Sequence, residues 1–152
     1  MMVWILRDGT EVDIEAMYRL DLLCFEEPFR FDRATMRWFV VKRGAVVVIA
    51  EVDGVLVGFV VVNVEWADRA KVGYVTTLDV APEWRRSGLA RDLMIEAGER
   101  VRAAGGVALV LHVFEGNVGA VGFYEASGYE RVGLEVGFYG DGLDGWVYRK
   151  GL

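Results

Sequence analysis

The apolar stretch Tyr74-Val75-Thr76-Thr77-Leu78 runs into Asp79-Val80-Ala81-Pro82-Glu83-Trp84-Arg85-Arg86-Ser87-Gly88-Leu89-Ala90, and helical spacing then continues to about Ala104. The segment reads as a strand, a tight basic loop and the start of a helix. Such a loop turns several backbone N–H groups toward one point at the positive end of a helix dipole, which suits a phosphate or pyrophosphate. Gly88 permits close approach of an anion to the backbone, and Arg85 and Arg86 add full positive charge. The loop itself carries neither Gly-x-x-x-x-Gly-Lys-Ser/Thr nor Gly-x-Gly-x-x-Gly. Taken alone, Arg85-x-x-Gly88-x-Ala90 also fits a plain turn into a helix.

Downstream, Leu89, Leu93, Ala97 and Val101 share one helix face, and Gly105-Gly106 ends the helix. Residues 107–113 read as a strand and residues 117–126 as a short helix stopped at Gly128. Residues 129–139 and 146–150 read as two last strands joined by the turn-rich segment 140–145. Upstream, residues 46–52, Asp53-Gly54 and residues 55–65 give the clearest hairpin signal of the chain. A polar loop, 66–71, then precedes a strand over 73–80. Residues 3–6 read as a first strand and 11–25 as a helix, with Thr10 as N-cap and Asp13 as capping-box partner. Asp32 caps a second helix through Val41, with Phe31 as staple and Gly44 as stop. Hairpins imply antiparallel pairing, and the strand–helix–strand unit around the basic loop implies a parallel crossover, so the sheet is mixed. No linker or repeat divides the chain, and a single α/β domain over residues 1–152 is expected.

With 152 residues the chain is long enough for one well-buried core. Its net charge of −6 argues against a nucleic-acid binder and is compatible with cationic partners such as amines. Cys24 is the only cysteine, so an intrachain disulfide and a cysteine-rich metal site are excluded, and no metal is expected. No apolar run approaches the ~18 residues of a membrane span. Arg7 and Asp8 stand where a signal peptide needs its apolar region, so a cytoplasmic location without membrane partners is expected.

Val80-x-Pro82-x-x-Arg85-Arg86-x-Gly88-Leu89-Ala90 resembles the acetyl-coenzyme A loop of the GNAT superfamily of N-acetyltransferases, whose pattern is Gln/Arg-x-x-Gly-x-Gly/Ala. Leu111-His112-Val113 followed by Asn117-x-x-Ala120-x-x-x-Tyr124-x-x-x-Gly128-Tyr129 resembles the second signature of that family, in the right order and on the expected elements. The resemblance is good over residues 46–150 and loose before them. It implies a GNAT-like three-layer fold: a mixed, mostly antiparallel six- to seven-stranded sheet flanked by about four helices. It further implies that acetyl-CoA is the acetyl donor. The backbone amides of Arg86, Ser87, Gly88, Leu89 and Ala90 would hold the pyrophosphate, with Arg85 beside them. Leu78, Asp79 and Val80 of the preceding strand would run along the pantetheine, and Asn117 would bond its arm. Asn117, Ala120 and Tyr124 share a helix face, which suits either a buried aromatic or, as the resemblance implies, a phenol that protonates the departing thiolate.

His112 is the only histidine and stands in an apolar strand, where either a structural or an acid–base role fits. N-terminal acetyltransferases of the RimI, Ard and NatE type place an acid–base residue there, and the NatE type pairs Leu-His-Val with a tyrosine at the position of Tyr74. The resemblance therefore implies Tyr74 and His112 as the groups that deprotonate the acceptor. An α-amine with a pKa near 8 costs about 1 kcal/mol to deprotonate at pH 7, and a lysine near 10.4 costs about 4–5 kcal/mol, which slightly favours N-termini. By the same resemblance Phe25, Glu26, Pro28 and Phe29 line the pocket for the first substrate residues, and Tyr139, beside Phe138, clamps the peptide backbone. The short, Gly-rich segment 140–145 departs from that pattern and leaves the groove more open. Direct attack in a ternary complex needs no covalent enzyme intermediate, so Cys24 has no role in it. The expected partners are acetyl-CoA and a peptide or protein N-terminus, with a small amine or lysine side chain as the alternative acceptor, and a monomer or homodimer. The reading of another class, a non-catalytic acyl-CoA-binding module, predicts loss of Tyr124, Asn117 or the basic loop, and all are kept.

Overall fold

The computed structural model describes residues 3–152. In chain order it has β1 (Ile5–Asp8), α1 (Ile14–Cys24), α2 (Arg33–Val41), β2 (Ala45–Val52), β3 (Val55–Ala67), β4 (Ala70–Val80), α3 (Leu89–Ala103), β5 (Gly106–Phe114), α4 (Val118–Ala126), β6 (Glu130–Gly140) and β7 (Leu143–Gly151). The seven strands form one sheet in the order β1-β2-β3-β4-β5-β7-β6. Only β4 and β5 pair in parallel, joined through α3. The four helices complete a three-layer α/β arrangement, as the motifs imply.

β2 and β3 are the centre of the core because helices cover both of their faces. Val48, Ile49, Phe59, Val60 and Val62 are buried together with Met17 of α1, Met36 of α2 and Leu93 of α3. A strand covered on both sides loses the polar–apolar alternation, which is why these two read as continuous apolar runs. α3 lies so close to β4 that a Cβ at Gly73 would stand 2.7 Å from Val101 Cγ2. Asp32 caps α2 by accepting from the Thr35 N–H at 2.7 Å, and Phe31 packs edge-on to Phe39. The Asp13 carboxylate accepts from the Thr10 N–H and from both terminal nitrogens of Arg7, so the capping box also ties α1 to β1.

α1 begins at Ile14, behind a 3-10 turn over Glu11–Asp13, and the strands differ from the sequence expectation in three places. β1 lies two residues later, because Ile5 to Asp8 are the residues that pair with β2, whereas Val3 is 63% exposed. Residues 66–71 are not a loop. β3 and β4 run on to Ala67 and Ala70 around a two-residue turn at Asp68, whose φ is 61°. Lys71 pairs with Trp66 there and its ammonium lies 5.4 Å from the indole centre, so polar residues extend the ladder in solvent. Likewise the turn-rich segment 140–145 tightens to Asp141-Gly142, with β7 starting at Leu143. Its excess length sits in β6 instead: between Glu135↔Gly145 and Gly140↔Leu143, four residues of β6 face one of β7. That bulge turns Phe138 and Tyr139 toward the middle of the sheet.

Two irregularities create the site. β4 and β5 stay paired only as far as Val75↔Leu111, after which they part. On the other edge of β4, Val61 pairs with Thr77 and Val62 with Val75, so Thr76 is a bulged residue without a partner in either neighbour. The bulge shifts the pleat by one residue, which places Tyr74, Thr77 and Asp79 on the α1 side and leaves Leu78 and Val80 on the α3 side.

Candidate active site

Where β4 and β5 part, a cavity of about 690 Å³ passes through the sheet. Leu78, Val80, Arg85 and Ala90 line it from β4 and its loop, and Asn117, Ala120 and Tyr124 line it from α4. Toward the other face it is lined by Phe25, Glu26 and Phe29 of the segment after α1, by His112 and Phe114 of β5, and by Tyr139 of β6. A second groove of about 630 Å³ lies between α3 and α4, away from these side chains.

The loop at the cavity mouth is wound by two residues of positive φ, Arg86 at 58° and Gly88 at 91°. The Ser87 hydroxyl donates to the Trp84 carbonyl and so belongs to the loop's own scaffold. Gly88 is the N-cap of α3 and brings no side chain to its first N–H groups. A Cβ at Gly88 would meet nothing within 4 Å, so the space before the helix is open as well as positively polarised. Arg86, Ser87 and Gly88 are exposed and do not line the cavity itself, and the Leu89 side chain is buried in the core and offers only its main chain. Asn117 is the N-cap of α4 rather than its first residue: its Oδ1 accepts from the Ala120 N–H at 3.1 Å, leaving its two amide hydrogens to the cavity. Burial raises the Tyr124 phenol well above its ordinary pKa, with Tyr129, Tyr139 and Asp79 adding to the effect. It stays protonated at neutral pH and can donate.

Across the opening, the Tyr74 hydroxyl lies 2.7 Å from His112 Nδ1. The two residues come from the parallel strands β4 and β5, just where the pair begins to part. His112 Nε2 lies 3.0 Å from Glu135 Oε1 of β6, and the Phe138 ring stacks on the imidazole at 3.7 Å and 1°. Burial pushes the Tyr74 phenol up, and Tyr139 and Glu135 push in the same direction. Phe29, Phe114 and Tyr139 form an aromatic cluster with ring centres 5.0 to 6.2 Å apart. Burial alone pushes the Tyr139 phenol up to about 12. Pro28, cis to Glu27, is exposed in the same segment and does not line the cavity.

Asp79 does not face the cavity. It is 1% exposed, turned to the α1 side, and its Oδ1 accepts from the Thr77 hydroxyl at 2.6 Å. Asp21 of α1 is fully buried beside it and accepts from the Phe31 N–H. Asp21 Oδ1 and Asp79 Oδ2 are the two carboxyl oxygens left without a partner. One proton between them satisfies both, with Asp79 as the donor; burial and then Asp21 hold its carboxyl well above the usual range. Cys24, one turn on in α1, donates to the Val80 carbonyl at 3.3 Å, and burial and Asp79 push its thiol up to about 11.

Among the described residues no cluster of three or more His, Cys, Asp or Glu side chains is placed to hold a metal ion. No helix among them is long and apolar enough to cross a membrane.

A parallel strand pair prised apart above an open, glycine-turned helix N-terminus, with a protonated phenol on one side and a Tyr–His pair on the other, defines an acyl-CoA-dependent acyltransferase. The chain belongs to the acetyltransferase (GNAT) family, whose pattern matches residues 14–129. It is 31% identical to the N-terminal acetyltransferase A complex catalytic subunit NAA10 of Arabidopsis thaliana, over 97% of this chain and 77% of that one. It is 24% identical to an N-alpha-acetyltransferase of Saccharolobus solfataricus, over 97% of this chain and 92% of that one. The ribosomal-protein-S18-alanine N-acetyltransferase of Escherichia coli shares the fold at a TM-score of 0.85 and 18% identity, over 98% and 94% of the two chains. The protein is an N-acetyltransferase that moves the acetyl group of acetyl-CoA to an amine.

Sequence reasoning missed Glu135, the Thr76 bulge and the Asp21–Asp79 pair. Glu135 reaches His112 from a strand whose register is set by a bulge, and nothing in the local composition marks it.

Proposed function

We propose that the acceptor is the α-amino group of a protein or peptide N-terminus, acetylated by direct attack within a ternary complex. The observation that carries this reading is a cavity open through the sheet. Its α3–α4 side fits a nucleotide thioester, and its α1 side ends in an aromatic cluster and the hydrogen-bonded Tyr74–His112 pair. The named relatives, themselves N-terminal acetyltransferases, support the same acceptor.

Acetyl-CoA supplies the thioester, at whose carbonyl carbon the C–N bond forms as the C–S bond breaks. The amides of Arg86 to Ala90 and the Arg85 guanidinium bind the pyrophosphate. The main chain of Leu78, Asp79 and Val80 pairs with the pantetheine, and the Asn117 amide donates to its arm. The unpaired main chain at Thr76 polarises the carbonyl. Tyr74 and His112 take the proton of the attacking amine, and Tyr124 gives its proton to the departing thiolate. Phe25, Glu26 and Phe29 enclose the first substrate residues, and Tyr139 holds the peptide main chain. The protein does this as a single domain, monomeric or homodimeric, in the cytoplasm.

The test is thiol release from acetyl-CoA with peptides whose N-termini are free or blocked. Release with free N-termini and none with blocked ones is expected. Equal release from blocked peptides with an internal lysine would overturn the acceptor, and acetyl-CoA binding without turnover of any amine would indicate a binding module.

A further inference from the structure

We infer that Glu135 is a positioning residue that holds the His112 ring as its Nε2–H form, so that Tyr74, His112 and Glu135 act as one proton relay with Tyr74 at its substrate end. The inference rests on the acetyltransferase reading of the same site.

An ionised carboxylate has only acceptor oxygens, so the 3.0 Å contact between Glu135 Oε1 and His112 Nε2 requires the hydrogen on Nε2. Nδ1 is then a bare lone pair, and the contact at 2.7 Å has Tyr74 donating its O–H to Nδ1. The opposite tautomer would set the Nε2 lone pair against a carboxylate. Phe138 covers the ring face, so the imidazole cannot tilt away from either partner without losing the stack. The other ionisable groups near the pair are Glu65 of β3 and Tyr139 of β6, with Glu26 on the segment after α1. None of them is hydrogen-bonded to the ring.

The assignment orders the two groups that the motifs left equivalent. Both ring nitrogens of His112 are engaged, so the free lone pair of the pair belongs to the Tyr74 oxygen. The amine proton passes to that oxygen, directly or through one water, while the Tyr74 proton passes to Nδ1. The positive charge formed on the ring is met by Glu135, whose side chain is 56% exposed and can exchange the proton with solvent. The logic is that of a nucleophile–histidine–carboxylate triad, with a phenol in the first place.

His112 is the only histidine of the chain, so imidazole nitrogen resonances of the uniformly 15N-labelled free protein belong to one ring. With the ring neutral, the expected spectrum has hydrogen on Nε2, its resonance visible and slow to exchange, and none on Nδ1. Glu135→Ala removes the slow exchange. Hydrogen on Nδ1 in the wild type, or an Nε2–H signal untouched by Glu135→Ala, overturns the inference. These readouts need no substrate, so they stand apart from the acceptor assignment. In turnover, Glu135→Ala lowers kcat about tenfold with the KM for acetyl-CoA unchanged, and Glu135→Gln, which keeps an acceptor but not the charge, falls between. In a His112→Ala background the same change has no further effect on kcat. An equal loss in both backgrounds overturns the relay and leaves Glu135 a structural residue of β6.

Discussion

Replacing Asp79 by Asn asks whether one proton ties α1 to the cofactor strand. Asp79 and Asp21 are both buried, Asp79 is anchored by Thr77 and Asp21 by the Phe31 N–H, and their remaining oxygens face each other's carboxyl. Burial and Asp21 raise the Asp79 carboxyl well above 3.8. The native state therefore keeps a proton that the unfolded chain releases above the ordinary carboxylate range. The contribution is full below that range and falls as pH rises toward the folded pKa, at about 1.4 kcal/mol per pH unit for one proton. In Asp79→Asn the amide donates permanently to Asp21 Oδ1, and its oxygen still accepts from Thr77. The slope disappears with the proton. Urea unfolding followed by the fluorescence of the five tryptophans, at about pH 5, 6 and 7, reads the difference. The variant gains on the wild type as pH rises, by up to about 1.4 kcal/mol per unit, or ~3–5 °C in Tm for a chain of this size, until the folded pKa is passed. A gap that stays constant or narrows as pH rises would refute the shared proton.

The remaining tests concern the cavity. Cys24, its thiol pushed up to about 11, resists alkylation in the native protein near pH 8, and modification at the rate of an exposed thiol would contradict its burial. Gly88→Ala meets no atom but forces a side chain to a φ of 91°, at about 1–2 kcal/mol, so the KM for acetyl-CoA rises about tenfold while the fold is kept; an unchanged KM removes the loop from cofactor binding. Tyr74→Phe and His112→Ala each lower kcat about 10²-fold at pH 7, and the double variant loses little more. Full turnover in both single variants would remove the pair from deprotonation.

The elements legible in the sequence are those punctuated locally. Asp53-Gly54 takes positive φ at both residues, as its hairpin reading requires, and Gly88 takes the left-handed turn at the start of α3. Asp32 caps α2 as read. Tyr74 and His112, 38 positions apart, come together because parallel pairing of β4 and β5 aligns their neighbours. What composition concealed is pairing between distant strands. The tip at 66–71 looks like a loop because its ladder lies in water, where no apolar alternation is needed. The bulge of β6 depends on where β7 pairs, so the placement of Glu135 and Phe138 beside His112 has no local mark. Asp79 reads as part of the cofactor strand until the bulge at Thr76 is known, and that bulge is what turns its side chain to Asp21.

The acceptor is tested most directly by locating the acetyl group on a product. A peptide with a free N-terminus and one internal lysine, incubated with acetyl-CoA and the protein, is fragmented and the mass increment mapped along the chain. The increment on the first residue, with the lysine unmodified, is the predicted result. Acetyl on the lysine with the N-terminal amine free would contradict it.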